Sequence, residues 1–186
     1  MSLLSRWPRP VAALRKLFEA DERALAVADT ADAGAAADPA TAADAVGSMA
    51  VATNLGLWLP DGRQWRRVGW HQVVKAAWTA EGLRLVEGEL GPDGLVTDRD
   101  EIVIAFSEPR NLPIVVRARV ENSIQRSERV TVPGGYGRVV ARRVPGVDGI
   151  TWTARLDAET PDTEAARQAL RDQLARMSAA ADPDSG

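Results

Sequence analysis

The sequence contains no cysteine, one histidine and two lysines among its 186 residues. Without cysteine the chain can form neither a disulfide bond nor a thiolate metal site, so a reducing compartment is permitted but not required. With His71 as the sole histidine, a metal site built from several histidines is excluded. We therefore predict no metal site and no cofactor.

His71 is also the one candidate for a catalytic imidazole. It lies between Trp70 and Gln72 in a segment whose alternating pattern predicts a strand rather than a loop. A packed or exposed histidine explains it better than a general base does. The sequence predicts that the protein is not an enzyme; catalytic carboxylates that only folding brings together are the open alternative.

The chain also lacks any apolar run near the ~20 residues of a membrane span. Residues 1–20 form a basic segment with Arg6, Arg9, Arg15 and Lys16, and prolines interrupt its apolar stretches. Such a segment does not provide the uninterrupted core of a secretory signal. We predict a cytoplasmic protein whose N-terminal segment is a short docked helix or a tail. The alternative is a helix that lies on a membrane surface.

Basic charge is not in excess, since the formal net charge is −3 at pH 7. A protein without an overall basic field is not expected to bind nucleic acid. Arginines nevertheless cluster in two places, and both clusters are candidate ligand or membrane contacts: Arg63, Arg66 and Arg67 beside the Asp61-Gly62 turn, and Arg138, Arg142 and Arg143 in a late hairpin. The simpler interpretation is a solvated face with arginines paired to carboxylates.

What the sequence does have is a stretch, from Ser48 to Glu87, of alternating apolar and polar residues with four tryptophans. The pattern, with turns at Asp61-Gly62 and Glu81-Gly82, predicts an antiparallel meander. Alternation predicts that Leu57 and Leu59 face the same way as Met49, Val51 and Thr53. Residues 23–30 fit a first strand, with a continuing helix as the alternative.

The second half of the chain predicts further strands and two helices. Residues 102–106 alternate as one short strand, residues 112–125 have helical spacing with strand as the alternative, and residues 130–154 read as two or three strands. Thr160 is the expected cap of a C-terminal helix, with Pro161 at its first position.

Several of these segments together resemble bacterial proteins with a pleckstrin-homology-like domain, and are most similar to small actinobacterial members. The shared motifs are Glu22-Arg23-Ala24-Leu25, Ala52-Thr53-Asn54-Leu55-Gly56-Leu57, and Val68-Gly69-Trp70-His71-Gln72-Val73 followed by Trp78. The resemblance implies a strongly bent, partly closed sheet capped by a helix, and a binding or structural role. An Ala-rich insertion between the first two strands departs from the usual form.

The sequence thus predicts an α+β, mainly β protein: a pleckstrin-homology-like antiparallel barrel or sandwich with a capping helix, extra late strands and a C-terminal helix. Its expected organisation is one domain over residues 21–180, an insertion loop at about 31–46, and a disordered tail at 181–186. The expected function is a non-catalytic cytoplasmic interaction or scaffold module for an unknown protein partner. A peripheral membrane module that uses residues 1–20 and the arginine clusters is the alternative.

Overall fold

The computed structural model of the chain describes residues 14–31, 49–62, 64–145 and 147–181. Residues 1–13 of the basic segment, all of the predicted insertion loop except Ala31, and the tail from residue 182 lie outside the described residues. Arg63 of the first arginine cluster lies outside them as well.

The described ranges form a mainly β structure with two α-helices and several antiparallel sheets. The strands are β1 Ala24–Thr30, β2 Met49–Thr53, β3 Gly56–Asp61, β4 Gln64–Gly69, β5 Val73–Thr79, β6 Gly82–Leu90, β7 Val96–Asp98, β8 Ile102–Ile104, β9 Phe106–Glu108, β10 Ile124–Val132, β11 Gly135–Arg142 and β12 Thr151–Leu156. The helices are α1 Leu112–Ser123 and α2 Glu164–Ala181, and 3₁₀ turns occupy Arg15–Leu17 and Trp70–Gln72.

The chain divides into two compact units, each built from several segments. Among the described residues, unit 1 comprises those within 14–70, 75–85 and 102–119, and unit 2 comprises those within 71–74, 86–101 and 120–181. β6 contributes to both units: its first half pairs with β8 in unit 1, and its second half pairs with β7 in unit 2.

Unit 1 contains a five-stranded sheet in the order β4-β3-β2-β1-β9. Residues 24–30 are a strand paired with β2, so the strand prediction for this segment is confirmed and the helix alternative is wrong. The turns at Asp61-Gly62 and Glu81-Gly82 are also present, with Gly62 and Gly82 at positive φ. Glycine tolerates this backbone region because it has no Cβ.

The predicted facing of the β2–β3 hairpin was wrong by one residue. Val51 lies opposite Trp58, and Ala52 lies opposite Leu57, so Trp58 rather than Leu57 shares the face of Val51. A one-residue change in register moves every side chain of a strand to the other face. Both faces of β2 are buried, and alternation in a strand of that kind carries no information about its partner.

The core of unit 1 includes the end of the N-terminal segment. Leu14 is fully buried with Met49 and Val51, and Phe18 stacks on Trp58 with ring centroids 5.9 Å apart. The described end of the segment therefore docks on unit 1, while Arg15 and Lys16 are exposed.

Two further segments differ from the sequence prediction. Residues 102–108 form two short strands in different sheets, β8 beside β6 and β9 beside β1, instead of one strand. His71 lies in the 3₁₀ turn between β4 and β5, not on a strand as predicted. Trp70, in the same turn, is buried and donates its Nε1–H to the Thr53 carbonyl at 3.0 Å, which anchors the turn to β2.

Unit 2 contains the three-stranded sheet β10-β11-β12, and α2 covers one face of it. Leu170 and Leu174 of α2 pack with Val132, Val139 and Ala154 of the sheet. The close approach occurs at Gly137, where an added Cβ would lie 2.8 Å from a Leu170 methyl. The predicted strands and the C-terminal helix are therefore present. The helix predicted over residues 112–125 is also present as α1, but it ends at Ser123, and β10 begins at the next residue.

The predicted cap of the C-terminal helix was wrong by three residues. α2 begins at Glu164, and the Thr163 hydroxyl accepts a hydrogen bond from the Ala166 amide at 3.2 Å. Thr160 instead accepts from the Tyr136 amide and donates to the Tyr136 carbonyl, both at 2.8 Å. The Thr160 hydroxyl bonds to the backbone near the start of β11, so it does not serve as the helix cap.

The sheets are open. None of those formed by the described residues closes into a barrel, so a closed barrel is not part of the fold that they form. Among the same residues, neither α-helix combines the length and apolar content that a bilayer crossing needs.

We predict that Leu170→Ala lowers the free energy of unfolding by about 2–5 kcal/mol, because it removes a fully buried side chain between α2 and the sheet. The matched control is Leu90→Ala, the same change at a side chain that is 55% exposed, for which we expect a loss within about 0.5 kcal/mol. Urea unfolding followed by circular dichroism measures both. Equal losses for the two variants would contradict the α2 packing.

Candidate functional site

The first arginine cluster is divided between the two faces of β4. Arg66 lies opposite Leu59 and Arg67 opposite Trp58, so the two side chains leave the strand on opposite sides. The two arginines therefore do not form one basic surface.

Arg67 belongs to a network around the buried carboxylate of Glu22. Its Nη1 donates to Glu22 Oε2 at 2.8 Å, its Nη2 pairs with Glu19, and its guanidinium lies 5.7 Å from the centre of the Trp58 ring. Glu22 Oε1 also accepts from the Thr53 hydroxyl and from Trp58 Nε1, both at 2.7 Å. The guanidinium of Arg67 is thus engaged by Glu19 and Glu22 within unit 1.

The network sets the charge state of Glu22, whose side chain is fully buried. Burial alone raises the pKa of Glu22. Hydrogen bonds from Thr53, Trp58 and the Glu19 amide, together with the charge of Arg67, outweigh that effect and hold the pKa below its ordinary value of 4.5. Glu22 is therefore a structural carboxylate that stays ionised, and it is not available as a general acid at neutral pH.

The second cluster is brought together only in part. Arg138 and Arg142 lie on the same face of β11, whereas Arg143 follows the strand and is exposed. Strand pairing places two more arginines beside them, because Arg138 lies opposite Arg129 of β10 and opposite Arg155 of β12. We call the side chains of Arg129, Arg138, Arg142 and Arg155 the arginine face; it lies opposite the face covered by α2.

Sequence reasoning missed Arg129 and Arg155, although one signal for Arg155 was available. Trp152 and Ala154 are alternate residues of a predicted strand, and both pack on the core beneath α2. Strict alternation then puts Thr153 and Arg155 on the other face. The register that places Arg155 opposite Arg138 is not readable from the sequence.

The members of the arginine face differ in how their charges are compensated. Arg129 pairs with Asp157 at 2.9 Å and stacks on Tyr136, and Arg155 pairs with Asp98 at 3.3 Å. Arg138 donates to the neutral Ser127 hydroxyl at 3.3 Å. Arg138 therefore differs from Arg129 and Arg155, each of which pairs with a carboxylate.

Arg142 is half-buried, and two of its hydrogen bonds go to neutral groups. Its Nη1 donates to the Ser123 hydroxyl at 2.7 Å, and its Nη2 donates to the Val73 carbonyl at 3.1 Å. Burial lowers the pKa of Arg142, and the nearby charge of Arg155 lowers it further. The guanidinium remains cationic at neutral pH, because the ordinary pKa of arginine lies far above neutrality. It is a fixed, partly desolvated cation.

Two adjoining cavities of unit 2 share a wall that Arg142 helps to form. The larger cavity has a volume of about 390 Å³, and its polar lining includes His71, Glu87, Glu89, Arg99, Arg142 and Thr153. The smaller cavity, of about 30 Å³, is lined by His71, Arg138, Arg142, Thr153 and Arg155 together with apolar groups. The shared wall consists of His71, Val96, Arg142 and Thr153.

The charges of the two cavities differ. In the larger one Glu89 pairs with Arg99 at 3.2 Å, and Glu87 adds a further carboxylate. The smaller one has three arginines and no carboxylate in its lining. Guanidinium groups are donors only, and they recognise planar acceptors such as carboxylate and phosphate. The three arginines of the smaller cavity are therefore suited to binding an anionic group.

No metal centre accompanies these cavities. Within residues 14–31, 49–62, 64–145 and 147–181, no three side chains of His, Asp or Glu are grouped to hold a metal ion.

We predict that Glu22→Gln lowers the free energy of unfolding at pH 7 by on the order of 3 kcal/mol, because it removes the buried partner of Arg67. Glu19→Gln, at a carboxylate 61% exposed that pairs with the same arginine, is the matched control and should cost less than about 1 kcal/mol. Urea unfolding monitored by tryptophan fluorescence reports both changes.

The same pair of proteins gives a prediction for pH. Because the folded-state pKa of Glu22 is depressed, its ionised form adds stability above pH 4.5, and this contribution disappears as the pH falls through the folded pKa. The stability difference between wild type and Glu22→Gln should therefore shrink as the pH falls from about 5 to about 2. A difference that stays constant over this range would argue against a depressed pKa.

Comparison of the chain with protein-family models, with curated proteins and with solved structures finds no match.

Proposed function

We propose that the protein is a non-catalytic cytoplasmic interaction module, and that a group of its protein partner enters the larger cavity of unit 2. The observation that supports this most directly is the cavity of about 390 Å³ with the half-buried Arg142 in its wall. Ligand sites are typically concave, of about 300–1,000 Å³, and carry a few convergent polar groups.

The elements around the cavity make it a preformed site. Glu87, Gly88 and Glu89 come from β6, Val96 from β7, and Thr151 and Thr153 from β12. Gly88 allows a close approach, since an added Cβ would lie 2.4 Å from a Val96 methyl and 2.8 Å from a Val74 methyl. Sites built on strands hold their geometry more precisely than sites on loops do.

We also propose that unit 1 has a pleckstrin-homology-like fold. The support is its order of elements: strands β1 to β4 pair in succession along the chain, β6 then pairs with β8, and α1 begins after β9. The resemblance drawn from Glu22-Arg23-Ala24-Leu25 and the Trp70 motif implies an arrangement of this kind. Members of that family mostly serve as binding or structural modules.

The membrane alternative has less support. Phe18 is an aromatic residue of the basic segment that could enter a bilayer beside Arg15 and Lys16, but it stacks on Trp58 in unit 1. Arg67 is likewise engaged with Glu19 and Glu22. The aromatic and basic groups that a bilayer would need are therefore partly used by the fold.

The proposal predicts that Thr153→Phe, which places a ring in the shared wall of the cavities, abolishes partner capture. The matched control is Thr131→Phe, the same change at an exposed position of β10. Lysate capture with wild type and both variants, quantified by mass spectrometry, tests this. Proteins held by wild type and Thr131→Phe but lost by Thr153→Phe are the expected result.

Circular dichroism must first show that both variants are folded. Capture that is the same for all three proteins would exclude the cavity as the binding site.

A further inference from the structure

We infer that the group bound in this cavity is anionic, a carboxylate or a phosphate, held at the shared wall by Arg142 with Arg138 beside it. This inference deepens the proposed function and depends on it for the location of the site.

The first step concerns the distribution of charge. Arg138, Arg142 and Arg155 all line the smaller cavity, and its lining contains no carboxylate. Asp98 compensates Arg155 at 3.3 Å. The net charge around the smaller cavity is therefore positive even when Asp98 is included.

The second step concerns the cost of this arrangement. Like charges held together in a partly buried place repel one another, and that repulsion lowers stability unless an opposite charge is present. The register Arg138↔Arg155 fixes two of the arginines directly opposite each other on adjacent strands. Like charges in that position are destabilising in sheets. An anion at the shared wall would relieve the repulsion.

The third step concerns fit. The smaller cavity, about 30 Å³, admits no more than a group of about the size of a water molecule. The larger cavity has room for the rest of a ligand. An anionic group at the shared wall would have its oxygen atoms near Arg142, while the body of the ligand occupies the larger cavity.

Two sources supply such a group: an acidic or phosphorylated segment of a protein, and a free small anion. Glu87 and Glu89 line the larger cavity, where the body of the ligand would bind. They disfavour a ligand that is negative along its whole length. One anionic group on an otherwise neutral or cationic body is therefore the ligand chemistry that the site fits best.

The test is titration of the full chain with defined probes at an ionic strength of about 0.15 M, where attraction between exposed charges is screened. The probes are inorganic phosphate, the monoanion 4-hydroxybutyrate, its neutral analogue 1,4-butanediol, and a capped lysine-glycine peptide carrying one glutamate. Two-dimensional ¹H–¹⁵N NMR of the backbone and arginine Nε–H groups gives the affinity and locates each probe.

We expect phosphate, 4-hydroxybutyrate or the peptide to bind with shifts at Arg138, Arg142 and Thr153, and butanediol not to bind. Arg138→Gln should weaken binding about tenfold, since it removes a charged donor. Arg143→Gln removes the same charge from the neighbouring exposed position and should change the affinity less than about twofold. Arg142→Gln should abolish binding; if that variant does not fold, Arg138→Gln and Thr153→Phe serve as the test.

Binding of the free anions without the peptide assigns the site to a small molecule, and binding of the peptide assigns it to a protein segment; both support the inference. Anion binding that is equal in wild type, Arg138→Gln and Thr153→Phe would overturn it, as would a lack of binding by all three anionic probes. If the anionic probes fail while partner capture remains sensitive to Thr153→Phe, the binding module stands and only its anionic ligand is wrong.

Discussion

Unit 1 depends on the hydrogen bonds and the ion pair that the buried carboxylate of Glu22 forms. The carboxylate joins residue 22 to Thr53 of β2, Trp58 of β3 and Arg67 of β4, so one side chain links the start of the chain to three successive strands. Breaking a buried charge pair by removing one partner costs more than the pair contributes when intact, because the remaining group stays desolvated. Phe18 stacks on Trp58, and Leu14 is buried in the same apolar cluster.

Sequence patterns predicted this unit well where the signal is local. The strands at residues 24–30 and 49–53, the turns at Gly62 and Gly82 and the helix from Leu112 follow from alternation, positive-φ glycines and helical spacing. Long-range features did not follow. Trp58 rather than Leu57 faces Val51 because register depends on how the hairpin pairs. Glu22 carries no mark in the sequence that distinguishes a buried carboxylate from an exposed one.

The arginine clusters show the same boundary between local and long-range information. Proximity in sequence grouped Arg66 with Arg67, but neighbours on a strand lie on opposite faces. It also grouped Arg142 with Arg143, while the residues that surround the cavities with Arg142 are Arg138, at an even spacing, and Arg155, on another strand. The candidate site was therefore predicted only in part. Two of its arginines were predicted, and His71 was considered only as a catalytic imidazole. The fold places His71 in the cavity lining and adds Thr153 and Arg155.

Two arginines of the same chain illustrate what separates a structural cation from a candidate binding group. Arg67 meets two carboxylates and an aromatic face, and its charge is matched within unit 1. Arg142 is held by the Ser123 hydroxyl and the Val73 carbonyl, which fix its position but carry no charge, and Arg155 adds repulsion. Neutral partners that orient a cation beside a cavity leave its field directed into that cavity. A site of this kind is organised before its ligand arrives, so less of the binding free energy is lost to ordering side chains.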